Sequence, residues 1–293
     1  MVGTNANSVM IMSYLTPYHG QKISLLTQHG KESVIIPELA NIECKVIHVN
    51  GFDTDQLGKF TRDKARAGTQ IEAARKKARI GMQLAGLPFG IANEGAFSVD
   101  PVMGIIPWNY ELVILIDDVR NIEITAYADS KAQHFHKLVD SWADLEDSLN
   151  QFNFPTHYLV VRPDHEHYPR YIAGINNVSG LQEAFDWALQ ESINKKVFVE
   201  NDLRAFANPT RMATIAQATK QLVQKIQSFC PRCQVPGFWV TEKIPGKECA
   251  ICKLPTKITK FDHWTCSQCN YSDDVLVNKN PFADPKFCDH CNP

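Results

Sequence analysis

Eight of the nine cysteines lie after residue 229, in four Cys-x-x-Cys pairs. The pairs are Cys230/Cys233, Cys249/Cys252, Cys266/Cys269 and Cys288/Cys291. Two residues between thiolates let both sulfurs of a tight turn reach one tetrahedral zinc ion, with bonds of about 2.3 Å. Gaps of 15 residues between the first two pairs and 18 between the last two suit four-cysteine zinc ribbons. The pattern therefore predicts two structural zinc ions.

The spacing leaves open which pairs share an ion. We expect sequential pairing, first pair with second and third with fourth; a crossed arrangement is the alternative. Four disulfides in a secreted domain are disfavoured, because the N-terminus lacks the basic flank of a secretion signal. Residues 230–293 hold too few aliphatic residues for a large core, so we expect their folding to depend on zinc.

Length and composition indicate the domain organisation and the class of protein. The chain has 293 residues, 44% hydrophobic and 21% charged, which suits two folded domains, 1–229 and 230–293. No apolar run approaches the roughly 18 residues of a membrane span. A formal charge of −2 excludes binding of nucleic acid through bulk electrostatics alone. We expect a soluble, cytoplasmic protein.

A phosphate-binding pattern stands near the start of the first domain. The apolar residues 23–26 predict a buried strand, and residues 32–36 predict a helix. Gly30 and Lys31 lie in the turn between them. Such a turn places free backbone N–H groups and a lysine at one helix N-terminus, an arrangement that binds phosphate oxygens. A solvated Lys31 is the alternative.

A basic segment follows. Residues 59–79 contain eight lysines and arginines and only two acids. Gly68 and Thr69 precede a predicted helix with an apolar stripe, and Glu72 lies among its cations. A carboxylate in such surroundings suits Mg²⁺ that bridges to phosphates, whereas an ion pair with Lys76 is the plainer interpretation. Residues 89–92 then predict a strand that ends at a second acid, Glu94, and residues 111–127 predict a hairpin.

Three short motifs in this order resemble the inosine/xanthosine triphosphatase superfamily, the house-cleaning nucleoside triphosphate pyrophosphatases. The matching residues are Thr27, Lys31, Gly68, Glu72, Ala74, Lys77, Ala78, Glu94 and Gly95. The helix that starts at residues 208–211 is loosely similar to that family's Ser-His-Arg helix start, with Thr210 and Arg211 standing in. The resemblance covers residues 22–128 well and 198–228 loosely, and 129–197 is expected to be an insertion.

The resemblance implies a mixed, twisted α/β sheet flanked by helices, followed here by the zinc ribbons. It also implies that Glu72 and Glu94 hold Mg²⁺ and that Lys77 acts with them in catalysis. The expected substrate-binding residues are Thr27, His29, Lys31, Arg62, Arg204 and Arg211. His29 departs from the family's usual asparagine, and the family's base-reading histidine is missing before Arg211. The whole chain also resembles an uncharacterised bacterial family that joins such a domain to paired zinc ribbons.

Two functions compete. The first is a Mg²⁺-dependent nucleoside triphosphate pyrophosphatase that acts on purine-type or modified nucleotides. The second is a non-catalytic nucleotide-binding adaptor that uses its zinc ribbons for protein or nucleic-acid contact. Residues 230–293 carry eight basic and seven acidic side chains, so eight thiolates with two Zn²⁺ make the loaded module net negative and disfavour nucleic acid as a main partner. The sequence leaves a homodimer open.

Overall fold

A computed structural model describes residues 15–52, 68–277 and 280–293. The first sheet has five strands in the order β2-β1-β3-β4-β5. The strands are β1 (Lys22–Leu26), β2 (Lys45–Val49), β3 (Phe89–Val99), β4 (Pro107–Asp117) and β5 (Ile122–Lys131). β1 pairs in parallel with β2 and β3, whereas β3, β4 and β5 form antiparallel pairs. The sheet is therefore mixed, as expected.

Three helices cover this sheet: α1 (Glu32–Leu39), α2 (Gln70–Ala85) and α5 (Pro209–Ile226). Apolar residues of α1 and α5 pack on one face, against side chains such as Ile91 and Val113. Small residues of α2, Ala74 and Ala78, pack on the other face against Ala92 and its neighbours. Each face of β3 and β4 is thus buried, which explains why both strands are apolar along most of their length.

The helix starts follow local capping signals. Thr69 caps α2, and its side chain and backbone exchange hydrogen bonds with Glu72 in a capping box. Asn208 caps α5 by accepting a hydrogen bond from the backbone of Arg211, and Pro209 occupies the first turn.

Residues 129–197, expected to be an insertion, contribute most of a second sheet. Its four strands lie in the order β6-β9-β7-β8. They are β6 (His136–Val139), β7 (Leu159–Pro163), β8 (Ile172–Ile175) and β9 (Val197–Asn201). Two helices, α3 (Trp142–Glu146) and α4 (Val178–Glu191), accompany them, and one face of the sheet forms its own apolar core with α4.

The C-terminal region has two small sheets. β10 (Trp239–Pro245), β12 (Thr259–Thr265) and β13 (Ser272–Leu276) form the larger one, and β11 (Glu248–Cys249) and β14 (Phe282–Ala283) form the smaller. In the part of the chain that the structure describes, no helix combines the length and apolar character needed to cross a membrane.

Candidate functional site: a buried charged cluster and two cysteine clusters

Lys31 lies immediately before α1, in the turn that connects β1 to that helix. Its side chain is buried, and its Nζ donates a hydrogen bond of 2.9 Å to Oδ1 of Asn93 on β3. Burial, followed by the nearby charges of Arg211 and Lys77, lowers the pKa of Lys31 to about 7. Lys31 can therefore exchange a proton near neutral pH, and a bound anion would favour its charged form.

Lys77 reaches the same asparagine from α2. Its Nζ lies 2.5 Å from Oε1 of Glu94 and 3.2 Å from the backbone oxygen of Asn93. Gln70, two turns earlier on the same helix face, donates hydrogen bonds to the backbone oxygens of Glu94 and Tyr110. These contacts fix the start of α2 against β3 and β4 and hold the Lys77 ammonium close enough for its charge to act on Lys31.

Arg211 completes the cluster from α5. Its Nε donates a hydrogen bond of 2.7 Å to Oε1 of Glu111 on β4, and its Nη1 donates one of 2.8 Å to the backbone oxygen of Leu203. Asn93 joins this pair to the lysines, because its Nδ2 donates to Oε2 of Glu111 at 3.0 Å. With every group ionised, Lys31, Lys77 and Arg211 outnumber the two carboxylates by one positive charge.

Gly95 makes this close approach possible. A Cβ added there would lie 2.4 Å from Oε1 of Glu111 and 2.5 Å from Nη2 of Arg211. Both distances are far below van der Waals contact, so only glycine leaves room for the buried ion pair. The two neighbouring residues therefore have different roles. Glu94 pairs with Lys77, and Gly95 leaves the space that Arg211 occupies.

Glu94 lies inside β3, not at the end of a strand as expected. β3 continues to Val99 because β4 pairs with its full length. The pairing of β1 with β3 stops at Ile91, however, so Glu94 stands beyond the end of the parallel part of the sheet. Open α/β sheets place ligands at this position, outside the carboxyl ends of parallel strands.

Glu72 does not contribute a contact to the cluster. Its carboxylate accepts hydrogen bonds from the backbone and hydroxyl of Thr69, at 2.7 and 2.9 Å, which lower the pKa of Glu72. Five residues separate Glu72 from Lys77, a rotation of about 140° around the helix, so the two side chains lie on different faces. Glu94 is the one predicted magnesium ligand that the structure places with the cations.

The remaining predicted phosphate contacts lie elsewhere or are engaged. His29 packs against Phe206, with 5.9 Å between ring centroids. Arg204 forms an ion pair with Asp202, with 2.9 Å between Nε and Oδ1, and its guanidinium also lies over Phe206. This ion pair joins two residues of the loop that follows β9 and fixes that loop. Thr27 is buried at the end of β1, and Arg62 lies outside the described residues.

Asn93 and Glu111 were missed by sequence reasoning. Glu111 precedes six apolar or acidic strand residues, and it shares a sheet face with Val113 and Leu115, which lie in the core. An acid in register with core positions is the signal that could have identified it, because a buried carboxylate needs a cationic partner.

The eight paired cysteines form two clusters, and their pairing is crossed. Among the described residues, the first set is Cys230, Cys233, Cys266 and Cys269, and the second is Cys249, Cys252, Cys288 and Cys291. Within each set all sulfurs lie within 4.8 Å of one another, and closest approaches are 3.5–3.8 Å. Tetrahedral zinc with bonds of about 2.3 Å separates its sulfurs by about 3.8 Å, so each set could hold one zinc ion.

The expected sequential pairing is wrong, and strand register explains why. β10 and β12 pair with Trp239 opposite Thr265, which brings Cys266 beside the segment that follows α5. β11 and β14 pair with Cys249 opposite Ala283, which brings the second Cys-x-x-Cys pair toward the fourth. The cysteine spacing fixes each turn, whereas the sheets decide which turns meet.

The first cysteine cluster is joined closely to the α/β domain. The backbone N–H of Gly237 donates to the oxygen of Lys225 on α5, and Lys225 donates through Nζ to Thr125 on β5. A Cβ on Gly237 would lie 3.1 Å from Ile124 of β5. Cys230 is fully buried four residues after α5 ends. The first cysteine cluster therefore lies next to the C-terminal end of α5, the helix whose first turn carries Arg211.

A family model described as Domain of unknown function (DUF6671) matches residues 77–293. The match begins at Lys77 of the charged cluster and includes Glu94, Glu111, Arg211 and both cysteine sets. No curated protein matches the chain. Because the match spans more than half of the chain, the protein belongs to the DUF6671 family.

Proposed function

We propose that this protein is a Mg²⁺-dependent nucleoside triphosphate pyrophosphatase whose phosphate site is the cluster of Lys31, Lys77 and Arg211. The observation that carries the proposal is the contact of two lysines with the single residue Asn93, one from the residue that precedes α1 (Lys31) and one from α2 (Lys77). Their convergence beyond the parallel strand ends suits a polyphosphate, and the cluster carries one excess positive charge when Lys31 is protonated, the form that a bound anion favours. The motif resemblance to nucleoside triphosphate pyrophosphatases supports the same reaction.

In this proposal the lysines bind the phosphate chain, and Glu94 positions the attacking water. A phosphate that draws Lys77 away would release Glu94 from its ion pair. The water oxygen forms a bond to the α-phosphorus, and the bond from that phosphorus to the bridging oxygen breaks. Pyrophosphate leaves with the electron pair of that bond, and Glu94 accepts a proton from the water.

Glu94 also fits the proposed metal. One carboxylate together with phosphate oxygens is a usual donor set for Mg²⁺. The ion would arrive with the nucleotide and neutralise charge on the phosphoryl oxygens. Glu72 would first have to leave its capping box, so we assign Glu94 as the protein ligand.

The test is a screen of nucleoside triphosphates, standard and deaminated, for pyrophosphate release with and without Mg²⁺. Lys77→Gln is expected to lower turnover by about a hundredfold, because it removes a cation that faces the phosphates. Lys76→Gln is the matched control, since Lys76 is exposed on the neighbouring position of α2. Zinc content and far-ultraviolet circular dichroism verify that both variants are folded.

The outcomes separate the candidate functions. Release of orthophosphate instead of pyrophosphate would replace the proposed reaction with a simple phosphatase. Binding of a nucleotide without turnover would favour the non-catalytic adaptor. If no nucleotide is bound or cleaved by the wild-type protein, the phosphate-site proposal is wrong.

A further inference from the structure

Asn109 on β4 is buried without hydrogen-bond partners. It is 1% exposed, and within the described residues neither its Nδ2 nor its Oδ1 has a partner. Buried side-chain amides are nearly always paired, because an unsatisfied donor or acceptor opposes folding. A leucine of similar shape would avoid this cost. The amide therefore needs an explanation outside the stability of the fold.

The strand register places Asn109 next to the charged cluster. Asn109 lies two residues from Glu111, so both side chains are on the sheet face that packs against α5. Its cross-strand neighbours are Phe97 on β3 and Ser130 on β5. The guanidinium carbon of Arg211 is 5.7 Å from the centroid of the Phe97 ring. Asn109 thus extends the row of polar side chains that begins at Glu111.

A series of aromatic rings starts beside Asn109. Phe97 lies 6.1 Å from His134, which lies 6.2 Å from His136, and His136 stacks on Phe198 at 5.7 Å, all between ring centroids. These rings connect the end of the first sheet with the second sheet. The first ring of the series, Phe97, is the cross-strand neighbour of the buried carboxamide. An aromatic ring beside a carboxamide suits a planar heterocycle with a polar edge.

We propose that Asn109 binds the edge of the nucleobase and so determines which base the protein accepts. This inference rests on the proposed nucleotide site. The carboxamide offers one donor and one acceptor side by side, and it matches a base edge that presents an acceptor next to a donor. The phosphate site supplies affinity for every nucleotide, whereas Asn109 discriminates between bases.

The test compares nucleotides with a probe that has no base. Calorimetry measures the binding of ATP, GTP, UTP and inorganic tripolyphosphate to the full-length wild-type protein and to Asn109→Leu. We expect about tenfold or greater loss of affinity for the preferred nucleotide and unchanged affinity for tripolyphosphate. The melting temperature should stay constant or rise, because the variant removes an unpaired amide. Asn109→Val is the second variant if the leucine does not fit.

Ser130→Ala provides the matched control on the same row. The Ser130 hydroxyl already pairs with Thr214 at 2.7 Å, so its loss should lower the melting temperature and leave both affinities unchanged. Unchanged nucleotide binding by Asn109→Leu would overturn this inference and leave the phosphate site intact. A lower melting temperature with equal loss for both ligands would mean that the amide is structural, which also overturns it. If the wild-type protein binds none of the four probes, inorganic tripolyphosphate included, the proposed phosphate site is wrong and this inference is wrong with it.

Discussion

Arg211 on α5 and Glu111 on β4 form an ion pair in which both side chains are almost completely buried, with 2.7 Å between Nε and Oε1. The pair ties the first turn of α5 to the centre of the sheet across a sequence separation of 100 residues. Removing one partner of a buried pair leaves the other charge desolvated and uncompensated. The pair thus matters for stability as well as for any anion that approaches Arg211.

Glu111→Gln is expected to lower the free energy of unfolding by about 3–5 kcal/mol. Guanidinium unfolding followed by circular dichroism measures this change. The exposed pair Arg79–Asp118 supplies the control, because Asp118→Asn should cost at most about 1 kcal/mol. The double variant Glu111→Leu with Arg211→Met should recover much of the loss, since it removes both buried charges. A loss below about 1 kcal/mol for Glu111→Gln would show that the pair is not desolvated as the structure indicates.

Gly95→Ala is expected to destabilise the protein by about 1–3 kcal/mol, because the new methyl would overlap with Glu111 and Arg211. Gly180→Ala is the control. A Cβ on Gly180 would meet Asn177 at 3.4 Å, an ordinary contact, and alanine favours the helix α4. In thermal unfolding, the melting temperature of Gly95→Ala should be lower than that of the wild type. The melting temperature of Gly180→Ala should be unchanged or higher. Equal melting temperatures for wild type and Gly95→Ala would contradict the tight packing.

Local signals predicted the elements that position the cluster, and long-range register decided the rest. The apolar run of β1, the cap at Thr69 and the proline-marked start of α5 are each contained in a few neighbouring residues. Lys31, Lys77 and Glu94, singled out by motif order, lie in one cluster. Asn93 and Glu111 could not be paired from sequence, because their contact depends on how β3 and β4 align.

Glu72 illustrates the limit of motif reasoning. A carboxylate three residues after a threonine fits a capping box as well as it fits a metal site, and the structure has the capping box. The same limit applies to the cysteines. A Cys-x-x-Cys turn fixes two sulfurs, but strand pairing within residues 230–293 selects its partner turn.

Lys31 should make stability depend on pH. Its pKa is lowered to about 7 in the folded protein by burial and by the charges of Arg211 and Lys77. The unfolded chain, with an ordinary lysine pKa of about 10.4, therefore binds one more proton between these values. Stability contributed by this group is lowest below pH 7 and rises through the window from pH 7 to about 10.4, by at most about 1.4 kcal/mol per pH unit.

Chemical unfolding at pH 6, 7, 8 and 9 measures this dependence, and Lys31→Met isolates it. The methionine variant has no ammonium to desolvate. The free energy of unfolding of the wild type, measured relative to the variant, should therefore increase as pH rises above 7. A difference that is constant from pH 6 to 9 would exclude a lowered lysine pKa.

Two double cysteine variants distinguish the crossed pairing from the sequential one. Cys230→Ser with Cys266→Ser removes two ligands of one cluster, so the protein should retain one zinc ion. Cys230→Ser with Cys249→Ser removes one ligand from each cluster, so both ions should bind more weakly or be lost. Sequential pairing predicts the reverse result for each variant. Zinc content after dialysis against a mild chelator, measured by inductively coupled plasma mass spectrometry, decides between them.

The two clusters should also differ in their effect on the α/β domain. Cys230 is buried close behind α5, and the adjoining Gly237 packs against β5. Loss of the first cluster is therefore expected to destabilise the domain that carries Arg211, whereas Cys249→Ser with Cys288→Ser should leave its unfolding transition nearly unchanged. Equal destabilisation by both pairs of substitutions would mean that residues 230–293 fold as one unit, in which neither zinc site acts independently of the other.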